Sequence, residues 1–391
     1  MPTVNPAILK WARETARLSP QDAAQALGFG GKTRSGEEKL LAIEAGGEAV
    51  TRPQLLKMVK VYRRPLLVFY LNEPPATSPR GEDFRTLPAE RAAESAGEVE
   101  TLVRDVHVRQ RLVKSALEDA DEAEPRAFVG SARFGQRVED LANQMREVLK
   151  FDLAEFRGRR TVEESFNYAR NRVESIGVFV LLIGNLGSHH SNISPEVFRG
   201  FALADEIAPF VVINDQDARA AWSFTLFHEL VHIWLGQTGI SDLSYESRTE
   251  RFCNMVASEL LLPAAEFQSW QPEFDGIPAL VDEISRYARA RKLSRALVNY
   301  RLLLDGAISH ATWELTAGVL RETWLRERER DRKQQQGSSG PNYYTVKRHR
   351  LGGALLGLAK RGLQDGVLTP TKAGRMLGVK PTNVEPLLTS A

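Results

Sequence analysis

Hydrophobic residues at helical spacing characterise the first 75 residues of the chain. Between Gln54 and Tyr62 they recur on one predicted helix face: Leu55, Leu56, Val59 and Tyr62. Prolines at positions 6, 20 and 53 fit the start of a helix, and glycines at positions 28 and 46 fit helix ends. Short helices separated by tight glycine turns are typical of a helix-turn-helix domain, which we predict for residues 1–75.

A different pattern, with short apolar runs between helices, characterises residues 161–310. The run Gly177–Ile183 is short, apolar, rich in β-branched residues and bounded by glycines, as expected for a buried strand. The other predicted elements are strands within Phe198–Ala204 and Phe210–Ile213 and helices over Val162–Ser175 and Ala218–Leu235. This order of elements indicates an α+β fold.

The remaining segments are more polar. Residues 76–160 are predicted to be a linker and helical region. The linker is rich in turn residues and begins at residue 72, and a polar amphipathic helix is predicted over Ala89–Ala120. Residues 311–340 combine a charged, exposed helix with a flexible linker of Gln, Ser and Gly at 334–340. Residues 341–391 form a small basic helical domain, with eight Lys and Arg residues against two acidic ones.

Composition narrows the class of protein. Of 391 residues, 42% are hydrophobic and 26% are charged, which is ordinary for a globular protein. No apolar run reaches the length of a membrane span, and the first ten residues do not resemble a secretory signal. Cys253 is the only cysteine, which excludes an internal disulfide and a thiolate metal cage. We therefore expect a cytoplasmic protein.

The strongest chemical signal is the motif His228-Glu229-Leu-Val-His232 within the predicted helix Ala218–Leu235. Histidines four positions apart lie on one helix face, so both imidazoles can reach one metal ion. Zinc accepts imidazole readily, and a catalytic zinc site leaves one position for water. Glu229 is placed to act as the general base toward that water. The alternative, two histidines without a metal, is uncommon for so specific a motif.

Such a site needs a third protein ligand, for which Glu250 is the first candidate. Glu250 lies 18 residues after His232 in a predicted helix that ends at Pro263, and Asn254 follows one turn later on the same face. We predict Glu250 as the third ligand and Asn254 as a hydrogen-bond partner of a ligating side chain. Other carboxylates remain alternatives: Glu246, Glu259 and, more weakly, Asp242.

The other histidines and the cysteine give weaker signals. His189 and His190 lie in a predicted Gly-, Ser- and Asn-rich loop and could bind a metal, although an exposed loop pair is more often solvated. Cys253, inside the predicted helix with Glu250, is interpreted as a small core residue. No role is predicted for the isolated histidines His107, His310 and His349.

The two predicted metal-site helices resemble those of the ImmA/IrrE family of zinc metallopeptidases. The similarity consists of Phe224-Thr-Leu-x-His-Glu-Leu-x-His and, at Glu250–Pro263, of Glu-x-x-x-Asn-x-x-Ala-x-x-Leu-Leu-x-Pro. The resemblance implies a gluzincin-like fold, zinc ligands at His228, His232 and Glu250, and Glu229 as catalytic acid and base. It also implies that Phe210–Ile213 forms a sheet edge to which an extended substrate binds.

The N-terminal segment resembles the Cro/repressor-type helix-turn-helix that often accompanies these peptidases. The similar stretches are Leu9–Glu14, Lys39–Gly46 and Arg64–Leu71. Asp83–Leu87 resembles the usual link to the next segment, and Ile284–Leu302 resembles a further helix-turn-helix after the peptidase core.

Two features depart from the family pattern. Val231 stands where the family usually has a glycine before the second histidine. The stretch Gly28–Glu38 is longer and richer in glycine than the usual turn into a recognition helix. A recognition helix must present a fixed face to the major groove, so this stretch argues against sequence-specific reading of DNA.

From these features we predict an α+β, gluzincin-like zinc peptidase core flanked by all-α helix-turn-helix domains. The predicted function is a zinc endopeptidase that regulates transcription, in stress response or mobile-element control, by cleaving a protein, in particular a repressor. The alternatives are a DNA-binding transcriptional regulator, or an antitoxin, whose zinc domain senses or stabilises rather than cleaves. Predicted partners are thus a protein substrate and, through the terminal domains, DNA, but no membrane.

Overall fold

A computed structural model of the chain describes residues 4–16, 18–30, 34–62, 64, 66–70, 89–187, 191–241, 248–270, 272–335 and 342–389. These residues fall into two compact units, the first ending at Asp105 and the second beginning at Val106. The division lies within helix α5 (Ala89–Asp119). Residues 72–88 of the linker predicted at 72–90, including Asp83–Leu87, lie outside the described residues.

Before α5, the first unit consists of short helices, each of which begins at a capped N-terminus. The elements are α1 (Pro6–Thr15), α2 (Pro20–Leu27), α3 (Gly36–Glu44), α4 (Arg52–Val61) and a 3₁₀ turn at Leu66–Tyr70. The side chain of the residue before each α-helix accepts a backbone N–H of the first turn: Asn5, Ser19, Ser35 and Thr51. A buried ion pair joins α1 to α3, with Arg13 Nε 2.7 Å from Glu44 Oε1.

The second unit contains a small sheet of four strands in the order β1-β3-β2-β4. The strands are β1 (Phe179–Leu182), β2 (Gly200–Leu203), β3 (Phe210–Ile213) and β4 (Gly239–Ser241). Strand β3 pairs in parallel with β1 and antiparallel with β2, which in turn pairs antiparallel with β4. All residues of β1, β2 and β3 are buried, which agrees with their continuous apolar sequences.

This strand order corrects one prediction. Phe210–Ile213 was expected at a sheet edge, but β3 has hydrogen-bonded neighbours on both sides and offers no free edge to a substrate. The outer strands of the described sheet are β1 and β4. The resemblance led to this error because the order of strands depends on long-range pairing that a local pattern does not contain.

Helix α9 (Trp222–Trp234) lies against the sheet and carries the histidine motif. It packs on β2 and β3 and also contacts α10 (Arg248–Leu261), which carries Glu250. Around them lie three further helices: α6 (Val138–Leu149), α7 (Leu153–Arg157) and α8 (Val162–Ser175). The apolar residues of α9 and α10, among them Leu230 and Val256, belong to one core with β1 and α8. The motif therefore lies in the buried core of the second unit.

The remainder of the second unit is helical. The helices are α11 (Ala264–Phe267), α12 (Gly276–Arg291), α13 (Arg295–Leu304), α14 (His310–Gln335), α15 (Tyr343–Leu351), α16 (Gly353–Gln364), α17 (Pro370–Leu377) and α18 (Val384–Thr389), with a 3₁₀ turn at Pro381–Asn383. The charged segment before residue 334 is the end of α14, while residues 336–340 of the predicted linker lie outside the described residues. In the described part of the chain, no helix has the length and apolar character that a membrane span requires.

A buried ion pair on α8 attaches the C-terminal helices to the sheet. Arg170 Nε lies 3.0 Å from Glu174 Oε1, and the Arg170 guanidinium also donates to the carbonyl oxygens of Val180 and His349. Glu174 Oε2 accepts the N–H groups of Gly353 and Ala354 at 3.0 and 3.1 Å, at the N-terminus of α16. A carboxylate at a helix N-terminus is favourable, so this pair joins β1, α15 and α16. Helix α15 packs against β1.

The predicted fold class is confirmed. The chain is mostly helical and contains a small sheet next to the helix with the histidine motif, as expected of an α+β peptidase-type domain. Helix α8 has the bounds predicted for it, whereas α6, α7 and β4 were not predicted.

Candidate metal centre

The end of α9 is held by backbone hydrogen bonds that fix the position of His232. Gly236 adopts a left-handed conformation with φ 68°, which allows Gln237 N–H to donate to the His232 carbonyl at 2.8 Å. The next two carbonyls, of Ile233 and Trp234, accept N–H groups of a crossing loop at 3.1 and 2.9 Å. All three carbonyls are thus satisfied, and the last turn of α9 is rigid.

Two histidines of α9 and one glutamate of α10 converge on one point. His228 Nε2 lies 3.2 Å from His232 Nε2 and 3.0 Å from Glu250 Oε2, and His232 Nε2 lies 3.2 Å from Glu250 Oε1. In the described residues these three form the only cluster of at least three His, Cys, Asp or Glu side chains whose ligand atoms lie close enough for one ion. The structure thus brings together the three residues predicted as ligands.

The spacing and chemistry of this donor set fit a metal ion. Ligand atoms about 2.0–2.2 Å from a tetrahedral zinc ion lie roughly 3.3 Å from one another, close to the observed separations. All three side chains are buried, with exposures of 2% for His228, 6% for His232 and 4% for Glu250. Two imidazoles and one carboxylate suit zinc better than Mg²⁺ or Ca²⁺, which prefer oxygen ligands.

The electrostatics of the cluster favour an anionic Glu250 and a neutral His228. Burial alone would raise the pKa of Glu250, but hydrogen bonds with His228 and His232 lower it to about 2. Burial lowers the pKa of His228 below its ordinary value, against the opposing effect of Glu250. A carboxylate and a neutral imidazole are the forms that bind a cation. Burial opposes the charged form of His232 as well, but contacts with Cys253 and Glu250 raise the pKa of His232 well above its ordinary value, so a bound cation would displace a proton from this ring.

Two neighbours on α10 support the histidines. Asn254, one turn after Glu250, is buried and interacts with the His228 side chain. Cys253 contacts His232, and burial raises the pKa of the Cys253 thiol, so the thiol stays neutral. Cys253 is also part of the hydrophobic core, in agreement with its interpretation as a core residue. Neighbouring side chains in such positions orient ligating imidazoles.

Glu229 lies on α9 next to the cluster and is fully buried, with 0% exposure. Its carboxylate faces the start of β2, where Gly200 pairs with Ile213 on one side and Ser241 on the other. The sequence pattern did not single out Gly200, because a glycine at a strand end has no chemical signature. Only the crossing of β2 over α9 shows that it matters.

The alternative carboxylates and histidines are placed as follows. Glu259 Oε2 accepts the Ala264 N–H at 2.9 Å and lies 3.4 Å from Arg301 Nη2, so Glu259 is engaged away from the cluster. His349 lies near Trp222, with ring centroids 6.2 Å apart, and His310 lies near Glu314. Four other candidates lie outside the described residues: His189, His190, Asp242 and Glu246.

Comparison with known proteins finds one similarity, and it covers the segment that contains this site. No curated protein and no solved structure gave a significant match to the chain. The family model of the IrrE N-terminal-like domain, Peptidase_M78, matches residues 184–303, which include β2 to β4 and helices α9 to α13. This segment, under a third of the chain, contains the two histidines, Glu229, Glu250 and Asn254. Residues 184–303 are therefore similar to a metallopeptidase-type domain, the IrrE N-terminal-like domain.

Proposed function

We propose that the protein is a zinc-dependent endopeptidase in which His228, His232 and Glu250 hold the metal and Glu229 is the catalytic acid and base. One observation carries this proposal: the three ligand atoms converge within hydrogen-bond distance of one another, next to a second buried glutamate. A metal with a purely structural role requires no buried carboxylate beside it, so Glu229 favours catalysis over a sensing or stabilising site. The similarity of residues 184–303 to a metallopeptidase family supports the same function.

The proposed reaction is hydrolysis of a peptide bond. A bound zinc would polarise the scissile carbonyl and lower the pKa of a water. Glu229 accepts a proton from the attacking water as its oxygen bonds to the carbonyl carbon. Glu229 then donates that proton to the amide nitrogen as the carbon–nitrogen bond breaks, which releases a carboxylic acid and an amine, and the acid then loses its proton to the amine or to water. Glu250 and Asn254 hold the histidine rings in place throughout.

We propose that the substrate is a transcriptional repressor. Its cleavage in the cytoplasm would end the repression of genes of stress response or of mobile elements. The support for this substrate is the resemblance of the two metal-site helices to the ImmA/IrrE family. Cleavage requires Glu229 and both histidines. An antitoxin or scaffold, by contrast, would still bind its partner after substitution of these residues.

Removal of the metal should abolish cleavage. Purified protein is expected to contain about one zinc ion per chain and to cleave the repressor encoded beside its gene. Dialysis against a chelator should stop cleavage, and Zn²⁺ but not Mg²⁺ should restore it, because the nitrogen ligands of the site suit zinc. Cleavage is measured by electrophoresis and mass spectrometry of the repressor. Undiminished cleavage by metal-free protein would contradict the proposal.

For DNA, we propose that the C-terminal helices make the contacts rather than α3. The exposed face of α3 carries Glu37, Glu38 and Leu41, which is 44% exposed, and two carboxylates repel phosphates. The exposed face of α17 carries Lys372 and Arg375. Lys372 has only a distant ion-pair partner, Asp119 Oδ2 at 3.9 Å, and remains half exposed. These cations suit contact with a phosphate backbone.

Charge reversal on α17 tests this assignment. The double variant Lys372→Glu/Arg375→Glu should weaken binding to a DNA duplex and reduce the slope of log affinity against log salt by about two. Fluorescence anisotropy between roughly 50 and 200 mM salt provides the measurement. Glu37→Gln on α3 is the matched control and should leave the slope unchanged. If the α17 variant binds as tightly as the wild type, the assignment is wrong.

A further inference from the structure

The sheet comes close to the proposed catalytic carboxylate at Gly200, the first residue of β2. A Cβ atom at this position would lie 2.8 Å from Glu229 Oε1 and 3.0 Å from Glu229 Cγ. It would also lie 2.7 Å from Cγ2 of Thr225, which precedes Glu229 by one turn of α9. Carbon atoms and carboxylate oxygens do not approach this closely without repulsion. The absence of a side chain at position 200 therefore creates the space that Glu229 and Thr225 occupy.

Neither backbone can move aside easily. Gly200 pairs with Ile213 on β3 and with Ser241 on β4, and the Arg199 carbonyl accepts the Asn214 N–H at 2.8 Å. On the other side, α9 is held at its C-terminal end by the hydrogen bonds around Gly236. A group added at position 200 must therefore be accommodated by side chains. The Glu229 carboxylate is the end of a flexible side chain and is the group most easily displaced.

We propose that Gly200 is a positioning residue that sets the location of the Glu229 carboxylate. This inference rests on the proposed peptidase function, in which that carboxylate transfers the proton. The three atoms nearest to a Cβ at position 200 belong to Thr225 and Glu229 and none to His228, His232 or Glu250, so we expect its replacement to affect proton transfer more than metal binding. On this proposal, the glycine at the start of β2 is required by the carboxylate that packs against it.

The variant Gly200→Ala tests this proposal in the whole enzyme. A displacement of about 1 Å in a catalytic group can cost on the order of 100-fold in rate, so kcat should fall by roughly 10- to 100-fold. Because substrate binding does not depend on Glu229 in this mechanism, KM should change little, and zinc content should stay at the wild-type level. Gly318→Ala is the matched control, since a Cβ at Gly318 on α14 meets no atom within 4 Å. Wild-type kcat in Gly200→Ala would overturn the proposal.

A second measurement needs neither metal nor substrate. In metal-free protein, Gly200→Ala should lower the urea midpoint of unfolding, because an added methyl group overpacks the contact. Glu229→Ala removes both crowded Glu229 atoms and should largely abolish this loss, whereas Thr225→Ser, which removes Cγ2, should abolish less of it. If Thr225→Ser fully restores the urea midpoint of Gly200→Ala and Glu229→Ala does not, the space at position 200 serves the packing of α9 on the sheet, and the proposal is rejected. The same holds if the Gly200→Ala/Glu229→Ala double variant fails to fold.

These two measurements separate the inference from the function on which it rests. If the wild-type protein cleaves no peptide bond, the peptidase proposal fails, yet the coupling between Gly200 and Glu229 still appears in urea unfolding. If the wild type cleaves and Gly200→Ala cleaves equally well, only the positioning role of Gly200 is rejected.

Discussion

Glu229→Gln is expected to slow cleavage of the repressor, with kcat lower by about 10²- to 10⁴-fold. Glutamine has the size and shape of glutamate but cannot accept a proton from water at neutral pH. Glu229 is fully buried, so a carboxylate ion from the buffer cannot readily take its place. Single-turnover cleavage with excess enzyme, followed by mass spectrometry, measures the loss directly.

The metal content distinguishes a loss of proton transfer from a loss of the site. Glu229 is not one of the three clustered side chains, so the Glu229→Gln protein should bind zinc as the wild type does. The substitution also removes a buried charge without a change in volume, so the variant should fold normally. Equal cleavage by wild type and Glu229→Gln would falsify the assignment of the base. If the variant loses zinc, it is reconstituted with zinc before its cleavage rate is compared with that of the wild type.

The local part of this site could be predicted from the sequence. Two histidines four positions apart must share a face if the segment is helical, and the apolar residues around them predict a helix. Helix α9 therefore places His228 and His232 as expected. The position of Glu250 was less certain, since several carboxylates follow in the chain and only the packing of α10 on α9 selects one of them.

The long-range part could not be predicted. Strand β4 has only three residues, Gly239–Ser241, too few for a recognisable alternation of polar and apolar positions. The position of β3 inside the sheet depends on pairing with segments on both sides. The interaction of Arg170 with a carbonyl 179 residues away likewise has no local signature. Gly200 matters only because β2 crosses α9 at Glu229.

Glu250→Ala should weaken zinc binding by more than about 100-fold, because the loss of an outer hydrogen-bond partner alone costs 10- to 100-fold in metal affinity. Its carboxylate lies 3.0 and 3.2 Å from the two histidine nitrogens and carries the negative charge of the donor set. Competition with a chromophoric zinc chelator gives the dissociation constant. Added zinc should also raise the melting temperature of the wild type but not of the variant, since only tight binding to the folded state stabilises it.

Glu259→Ala is the matched control for this experiment, because Glu259 is also buried on α10 but engages Arg301 and the Ala264 N–H. The loss of that pair should lower the unfolding free energy by about 3–5 kcal/mol, as expected when one partner of a buried ion pair is removed, and leave zinc affinity near the wild-type value. Glu246→Ala should likewise retain zinc. Should Glu246→Ala lose the metal while Glu250→Ala keeps it, the third ligand would lie one turn earlier in the chain. The proposed catalysis depends on this third ligand, since two histidines alone would hold the ion too weakly to keep it beside Glu229.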